Sequence, residues 1–108
     1  MQDELIQIGF PAEKIRVRYN GVDPKKYNPE QVSKEQIKQT KSKYGFNDDM
    51  IILFVGRLVW IKGVDKLIRA IPKILQKIPN AKLVVVGLGD MQDYIEGLVR
   101  NLHLEDVV

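Results

Sequence analysis

The chain has 108 residues, 44% of them hydrophobic and 29% charged, which is the composition of one small globular domain. It contains no cysteine and a single histidine, which excludes disulfides, thiolate metal sites and a zinc site built from histidines. A dispersed net charge of +3 excludes a nucleic-acid arm, and the lack of a long apolar run or a signal peptide predicts a cytoplasmic protein.

The first part of the chain predicts a short helix, an edge strand and a turn. Residues 2–9 suit a helix that ends near Gly9. Residues 14–20 alternate apolar and cationic side chains, which predicts a half-exposed strand near a sheet edge. The turn that follows is Asn20–Asp23, and both of its end residues are expected to form that turn.

A second helix is marked at both ends. Ser33 and Gln36 have the spacing of a capping box at its start. We expect it to run to Tyr44, where Gly45 can adopt the left-handed conformation that ends a helix.

Two apolar runs in the second half predict strands buried on both faces, at residues 50–56 and 81–87. Between them, apolar residues recur at helical spacing over 64–78, with Pro72 expected to kink that helix. Its basic residues face away from the apolar side and predict a solvated face: Lys66, Arg69, Lys73 and Lys77.

The last helix is predicted at residues 91–102, with Tyr94 among its inward-facing residues and His103 at its stop. Asp90 is expected to cap it, and the last four residues read as the opening of another strand. Strands that alternate with amphipathic helices predict an α/β fold, a Rossmann-like three-layer parallel sheet that is incomplete in this chain.

Ligands of parallel α/β sheets bind beyond the carboxyl ends of the strands, and two such ends are glycine-rich here. The first has Gly56 and Arg57, followed after a short loop by Lys62 and Gly63. Both cations can bind one phosphate or diphosphate next to a helix N-terminus. Trp60, within this loop, can stack on a sugar, although an apolar plug is the simpler interpretation.

The second glycine-rich end contains Gly87 and Gly89, but Gln92 stands where a dinucleotide-binding motif needs its third glycine. A P-loop is excluded because Lys62 precedes its glycine and no serine or threonine follows. On the residues alone, two interpretations stay open. One is a phosphate site; the other is ordinary turn glycines beside surface cations.

Three separated motifs add a resemblance to a known family. They are "YNGVDPKKYNP", "ILFVGRLVWIKGVDKLIRAIP" and "LVVVGLGDMQDYIEGLVRNLHLEDVV". In this order and spacing they resemble the first part of the C-terminal domain of GT-B glycosyltransferases of family 4. The resemblance extends over nearly the whole chain, and implies that residues 1–108 are part of a nucleotide-sugar-binding domain. Trp60 and Ile61 depart from the family, which often has proline and an acidic residue there, and so does His103, where glycine is usual.

The resemblance assigns roles to the glycines and cations. It implies that Arg57 and Lys62, with Gly56 and Gly63 beside them, contact the diphosphate of a nucleotide-sugar donor such as a UDP-sugar. It places Gly87 and Gly89 near the donor nucleoside, although a tight strand-to-helix turn also explains these two glycines. The implied enzyme is a hexosyltransferase type that retains anomeric configuration, with no cofactor and no metal.

The resemblance also implies partners. The acceptor-binding domain would precede residue 1 and a ribose-binding glutamate would follow residue 108, so the chain contains no catalytic residue and alone would be inactive. We expect self-association through an unpaired sheet edge, and peripheral contact with the inner membrane face stays open because some family members bind membranes. The frequent lysine and isoleucine resemble thermophile usage. The alternatives are a stand-alone, non-catalytic phosphate- or nucleotide-binding module and a plain interaction domain.

Overall fold

The computed structural model describes all residues, Met1–Val108, in two compact units, Met1–Lys38 and Gln39–Val108. The first unit contains helix α1 (Gln2–Gln7), two single-turn 3₁₀ helices (Ala12–Lys14 and Pro29–Gln31) and the start of helix α2 (Lys34–Lys43). None of the helices in the chain is both long and apolar enough to cross a membrane.

The first unit contains no β-strand, so the edge strand expected at residues 14–20 is wrong. Ala12–Lys14 is a 3₁₀ turn, and the residues after it have no regular structure. A segment with alternating side chains forms a strand only where a neighbouring strand can pair with its backbone N–H and C=O groups. No strand pairs with residues 14–20 here.

The two ends of α2 are stabilised as the sequence predicts. Ser33 and Gln36 form the reciprocal capping box, with distances of 3.1 Å from the Gln36 amide to Ser33 Oγ and 2.8 Å from the Ser33 amide to Gln36 Oε1. At the other end Gly45 has φ 74°, and the Phe46 amide donates to the Lys41 carbonyl at 2.8 Å. This is the hydrogen-bond pattern of a Schellman motif.

The second unit is built on two parallel strands, β1 (Met50–Val55) and β2 (Ala81–Val86). Their register pairs Ile52 with Leu83 and Val55 with Val86. Helix α3 (Val64–Leu75) connects them and helix α4 (Gln92–Asn101) follows β2. This confirms the predicted α/β class and parallel sheet, with helices flanking the strands.

The hydrophobic core lies between one face of the sheet and the two helices. Its buried residues are Leu58, Val64, Ile68, Ile71, Leu83, Met91, Ile95, Leu98 and Leu104. On the opposite face Leu53, Val55 and Val86 are exposed. The prediction that both strands are buried on two faces is therefore wrong for this chain, because both strands leave this opposite face open to solvent. A continuous apolar run in the sequence indicates that both faces of a strand can be buried. It does not show which other segments pack on each face.

The last residues form a turn rather than the expected strand. One backbone hydrogen bond nevertheless joins this turn to β2, since the Leu83 amide donates to the Val107 carbonyl at 2.8 Å. The neighbouring amides, Val107 and Val108, instead donate back to Leu104. Local turn bonds therefore replace the ladder that a strand would need.

His103 ends α4 in the left-handed conformation, with φ 53°, as its position at the helix stop predicts. The His103 amide donates to Arg100 and the Leu104 amide to Val99, a second Schellman motif. Left-handed backbone is unfavourable for a residue with a Cβ atom.

We therefore expect His103→Gly to raise the free energy of unfolding by about 1 kcal/mol, measured by urea denaturation. The matched control is Asn101→Gly in the last turn of α4, where the backbone is right-handed and a small loss of about 0.3 kcal/mol is expected. Equal effects of the two substitutions would contradict this explanation.

Candidate functional site

The two strands end side by side, as a parallel sheet requires. Gly56 follows β1, and its amide donates to the carbonyl of Val86, the last residue of β2, at 3.0 Å. Gly87 follows β2 directly. The structure therefore brings the two predicted glycine-rich ends together at one edge of the sheet.

The loops beyond the strands are joined through Leu58, which is only 5% exposed. Its amide donates to the Leu88 carbonyl at 3.0 Å, and its carbonyl accepts from the Met91 amide at 3.1 Å. These bonds fasten the loop after β1 to the turn that begins α4. Leu58 has no polar side chain, so motif reasoning from the sequence did not single it out.

The close approach of the loop after β1 to the turn after β2 requires glycine at positions 87 and 89. A Cβ atom on Gly87 would overlap the Gly56 carbonyl oxygen, and one on Gly89 would overlap the Leu58 carbonyl oxygen and lie 2.9 Å from the Leu58 nitrogen. Neither position can hold a side chain without moving the backbone. The tight strand-to-helix turn is thus a sufficient reason for both glycines, whatever they contact besides.

We call the segment Arg57–Gly63 the cation loop. Its last part, Trp60–Lys62, is a 3₁₀ turn, and Gly63 has φ 66°, so it ends that turn and begins α3 in a left-handed conformation. Arg57 and Lys62 are both exposed on this loop. Neither side chain has a hydrogen-bond or ion-pair partner in the chain; the single ion pair present joins the Met1 amino group to Glu4.

The cation loop leads directly into an uncapped helix N-terminus. No side chain caps α3, and the amides of Val64 and Asp65 donate to no group of the protein. Free amides at a helix N-terminus carry partial positive charge and favour anions. The two unpaired cations therefore lie on a loop that ends where the backbone itself favours an anion.

Trp60 is not the apolar plug that the simpler interpretation proposed, because 65% of its surface is exposed. Its ring instead contacts Tyr94 of α4, with ring centroids 5.0 Å apart and planes tilted by 50°. Tyr94 is itself 40% exposed, so its expected place on the inner face of α4 is also wrong. The hydroxyl of Tyr94 accepts a hydrogen bond from Arg69 Nη2 at 3.1 Å.

The structure also tests the roles predicted for Asp90, Asp23 and the basic face of α3. Asp90 does not cap α4, which has Met91 at its N-cap and no side-chain cap, so that prediction is wrong. The turn expected at Asn20–Asp23 is wrong, because the structure has its turn at residues 24–27; Asp23 begins that turn, and its Oδ1 accepts from the Lys25 amide at 2.9 Å. The basic face of α3 is exposed along its length, as predicted.

The two cations of the candidate site are exposed to solvent. A hollow of about 430 Å³ lies along β2 and the final turn, and one of about 250 Å³ lies beside α4. Neither is lined by Arg57 or Lys62. No group of three or more histidine, aspartate or glutamate side chains is placed to hold a metal ion. The groups of the cation loop and the start of α3 that suit an anion are the side chains of Arg57 and Lys62 and the free amide of Asp65.

Comparison with known proteins gives matches over the whole chain. The family model of the glycosyl transferases group 1 matches residues 36–108. An uncharacterised glycosyltransferase of Methanocaldococcus jannaschii is 46% identical over 100% of this chain and 28% of its own length. No solved structure gives a significant match.

Two further relatives have names that describe a reaction. An N-acetyl-alpha-D-glucosaminyl L-malate synthase of Bacillus anthracis is 32% identical over 98% of this chain and 26% of that protein. A GDP-mannose-dependent alpha-(1-6)-phosphatidylinositol monomannoside mannosyltransferase of Mycolicibacterium smegmatis is 28% identical over 82% of this chain and 22% of that protein. The chain thus spans about a quarter of the length of the relatives it matches.

Proposed function

This chain belongs to the group 1 glycosyl transferase family, and on that premise we propose that its cation loop binds the diphosphate of a nucleotide-sugar donor in a glycosyltransferase. The observation that carries the proposal is the pair of unpaired, exposed cations, Arg57 and Lys62, on the loop that follows β1, at the edge where both parallel strands end. The M. smegmatis relative, named for its dependence on GDP-mannose, supports a nucleotide-sugar as the ligand.

The two cations suit different parts of a diphosphate. The guanidinium of Arg57 can donate two parallel hydrogen bonds to one phosphate, whereas the ammonium of Lys62 adds a compact charge. The free amide of Asp65 adds a backbone donor at the start of α3, whereas Val64 is fully buried. Together these groups offer several donors to an anion with several acceptor oxygens.

In the proposed reaction this surface stabilises the leaving group. When the bond between the sugar and the diphosphate breaks, the electron pair stays on the diphosphate oxygen and its negative charge increases. Fixed cations and amides lower the energy of that charge in the transition state. The acceptor attacks the sugar carbon, and retention of configuration at that carbon is part of the proposal.

The proposal predicts binding that depends on the diphosphate. UDP, GDP or ADP should raise the melting temperature of the protein, and at a concentration near 100 Kd the added stability is about 2.7 kcal/mol. The matching nucleoside, which lacks phosphate, should bind much more weakly. Added salt should weaken diphosphate binding, because the cations are solvent-exposed. Equal affinity for a nucleoside and its diphosphate would contradict the proposal, since the cation loop would then contribute nothing.

A further inference from the structure

The Trp60 and Tyr94 rings form a contact outside the hydrophobic core. Their centroid distance of 5.0 Å and tilt of 50° lie in the range that is favourable for aromatic pairs. Both rings are more than one third exposed, and neither residue belongs to the buried core cluster. The hydrophobic core is therefore buried without a contribution from the Trp60–Tyr94 contact.

Arg69 extends this contact to a third element. Its Nη2 donates to the Tyr94 hydroxyl at 3.1 Å, and Arg69 lies on α3 whereas Tyr94 lies on α4. Trp60 belongs to the cation loop. Three side chains thus connect the cation loop, α3 and α4, and we call them the aromatic brace.

The part of the cation loop that carries Lys62 has mainly local hydrogen bonds. The Lys62 amide donates to the Val59 carbonyl at 3.0 Å, and the Gly63 amide to the Trp60 carbonyl at 3.1 Å. Ile61, the residue between Trp60 and Lys62, is 91% exposed. Short 3₁₀ turns with only such bonds open readily. The ring of Trp60 is therefore well placed to restrain this turn from outside.

We propose that the aromatic brace, Trp60, Tyr94 and Arg69, holds the cation loop in the conformation in which Lys62 and Arg57 meet a diphosphate together. The proposal rests on the diphosphate role of that loop. Tyr94 and Arg69 act as positioning residues, because they reach the ligand site only through Trp60. A loop that is already ordered before binding loses less conformational entropy on binding, which improves affinity.

The test begins with Tyr94→Ala, which removes the ring and the acceptor of Arg69. We expect solvent exchange of the Lys62 and Gly63 amides, measured by NMR, to become about fivefold faster while the amides of β2 keep their rates. The Kd for UDP, GDP or ADP, whichever the unsubstituted protein binds most tightly, should rise by about fivefold. Trp60→Ala should produce the same two changes.

Two matched variants separate positioning from a general loss of structure. Tyr94→Phe keeps the ring contact and should recover most of the slow exchange and of the affinity. Arg100→Ala shortens an exposed side chain of α4 that lies outside both the brace and the cation loop, and should change neither. Failure of Tyr94→Phe to restore affinity while Tyr94→Ala weakens it would show that the ring contact is not what positions the loop.

The brace and the diphosphate role fail in different ways. Unchanged amide exchange at Lys62 and Gly63 in Tyr94→Ala would overturn the brace, whatever the protein binds. Faster exchange with an unchanged Kd would overturn its positioning role. If the unsubstituted protein binds no nucleoside diphosphate, the diphosphate role itself is wrong. The exchange rates of the Lys62 and Gly63 amides then show only whether the three side chains restrain the loop.

Discussion

Replacing Gly89 by alanine is expected to lower the free energy of unfolding by about 3 kcal/mol. The added Cβ atom would overlap the Leu58 carbonyl oxygen and lie 2.7 Å from its carbon. Relief of this overlap must move the backbone and weaken the bond that the same carbonyl accepts from the Met91 amide. Because a domain is stable by only about 5–15 kcal/mol, the change should be plain in equilibrium urea unfolding followed by circular dichroism.

Gly97→Ala is the matched control for this substitution. Gly97 lies within α4, and a Cβ atom there would meet nothing within 4 Å. Alanine should therefore raise the free energy of unfolding by about 0.5–1 kcal/mol through its helix propensity.

Gly87→Ala should resemble Gly89→Ala, because its Cβ atom would overlap the Gly56 carbonyl. Normal stability together with a loss of nucleotide affinity in Gly89→Ala would instead show that this glycine is there for a ligand.

Arg57→Ala is expected to weaken binding of a nucleoside diphosphate by about 30-fold, or about 2 kcal/mol, the amount that charge-assisted hydrogen bonds to a buried or bound anion contribute. The stability of the protein should stay within about 0.5 kcal/mol of its original value, because the side chain is exposed and unpaired. Isothermal titration calorimetry at two salt concentrations measures the change in affinity and its salt dependence.

Arg100→Ala provides the matched control, since it removes the same charged group from an exposed position on α4. It should alter affinity by less than about twofold, as expected for a screened surface charge. Lys62→Ala should weaken binding less than Arg57→Ala does, because an ammonium makes no paired contact with phosphate. An unchanged affinity in Arg57→Ala would show that the assignment of this residue to the diphosphate is wrong.

The elements that were predicted correctly have signals within their own segments. The capping box of Ser33 and Gln36 and the left-handed stops at Gly45 and His103 need only a few neighbouring residues to form. The strand predicted at 14–20 failed because a strand depends on a partner strand, which no local pattern supplies. The two strands of continuous apolar residues were found, but the exposure of Leu53 and Val55 depends on what else packs on the sheet.

The residues of the candidate site also divide into those that local sequence predicts and those that only the fold identifies. Residue type and order along the chain were enough to single out Arg57, Lys62 and the four glycines around the strand ends. Leu58 was not singled out, because its importance lies in backbone bonds to Leu88 and Met91, which are distant in sequence.

By itself the sequence determined the α/β class, the order of the elements from α2 to α4, and the cations that follow the first strand, since each depends on residues close together in the chain. Only the tertiary structure decided how the two strand ends meet, why Gly87 and Gly89 admit no side chain, and that Trp60 contacts Tyr94 rather than the core. The physical reason is that these contacts join residues about 30 positions apart, where the geometry of the sheet and helices, and not local propensity, sets the distance.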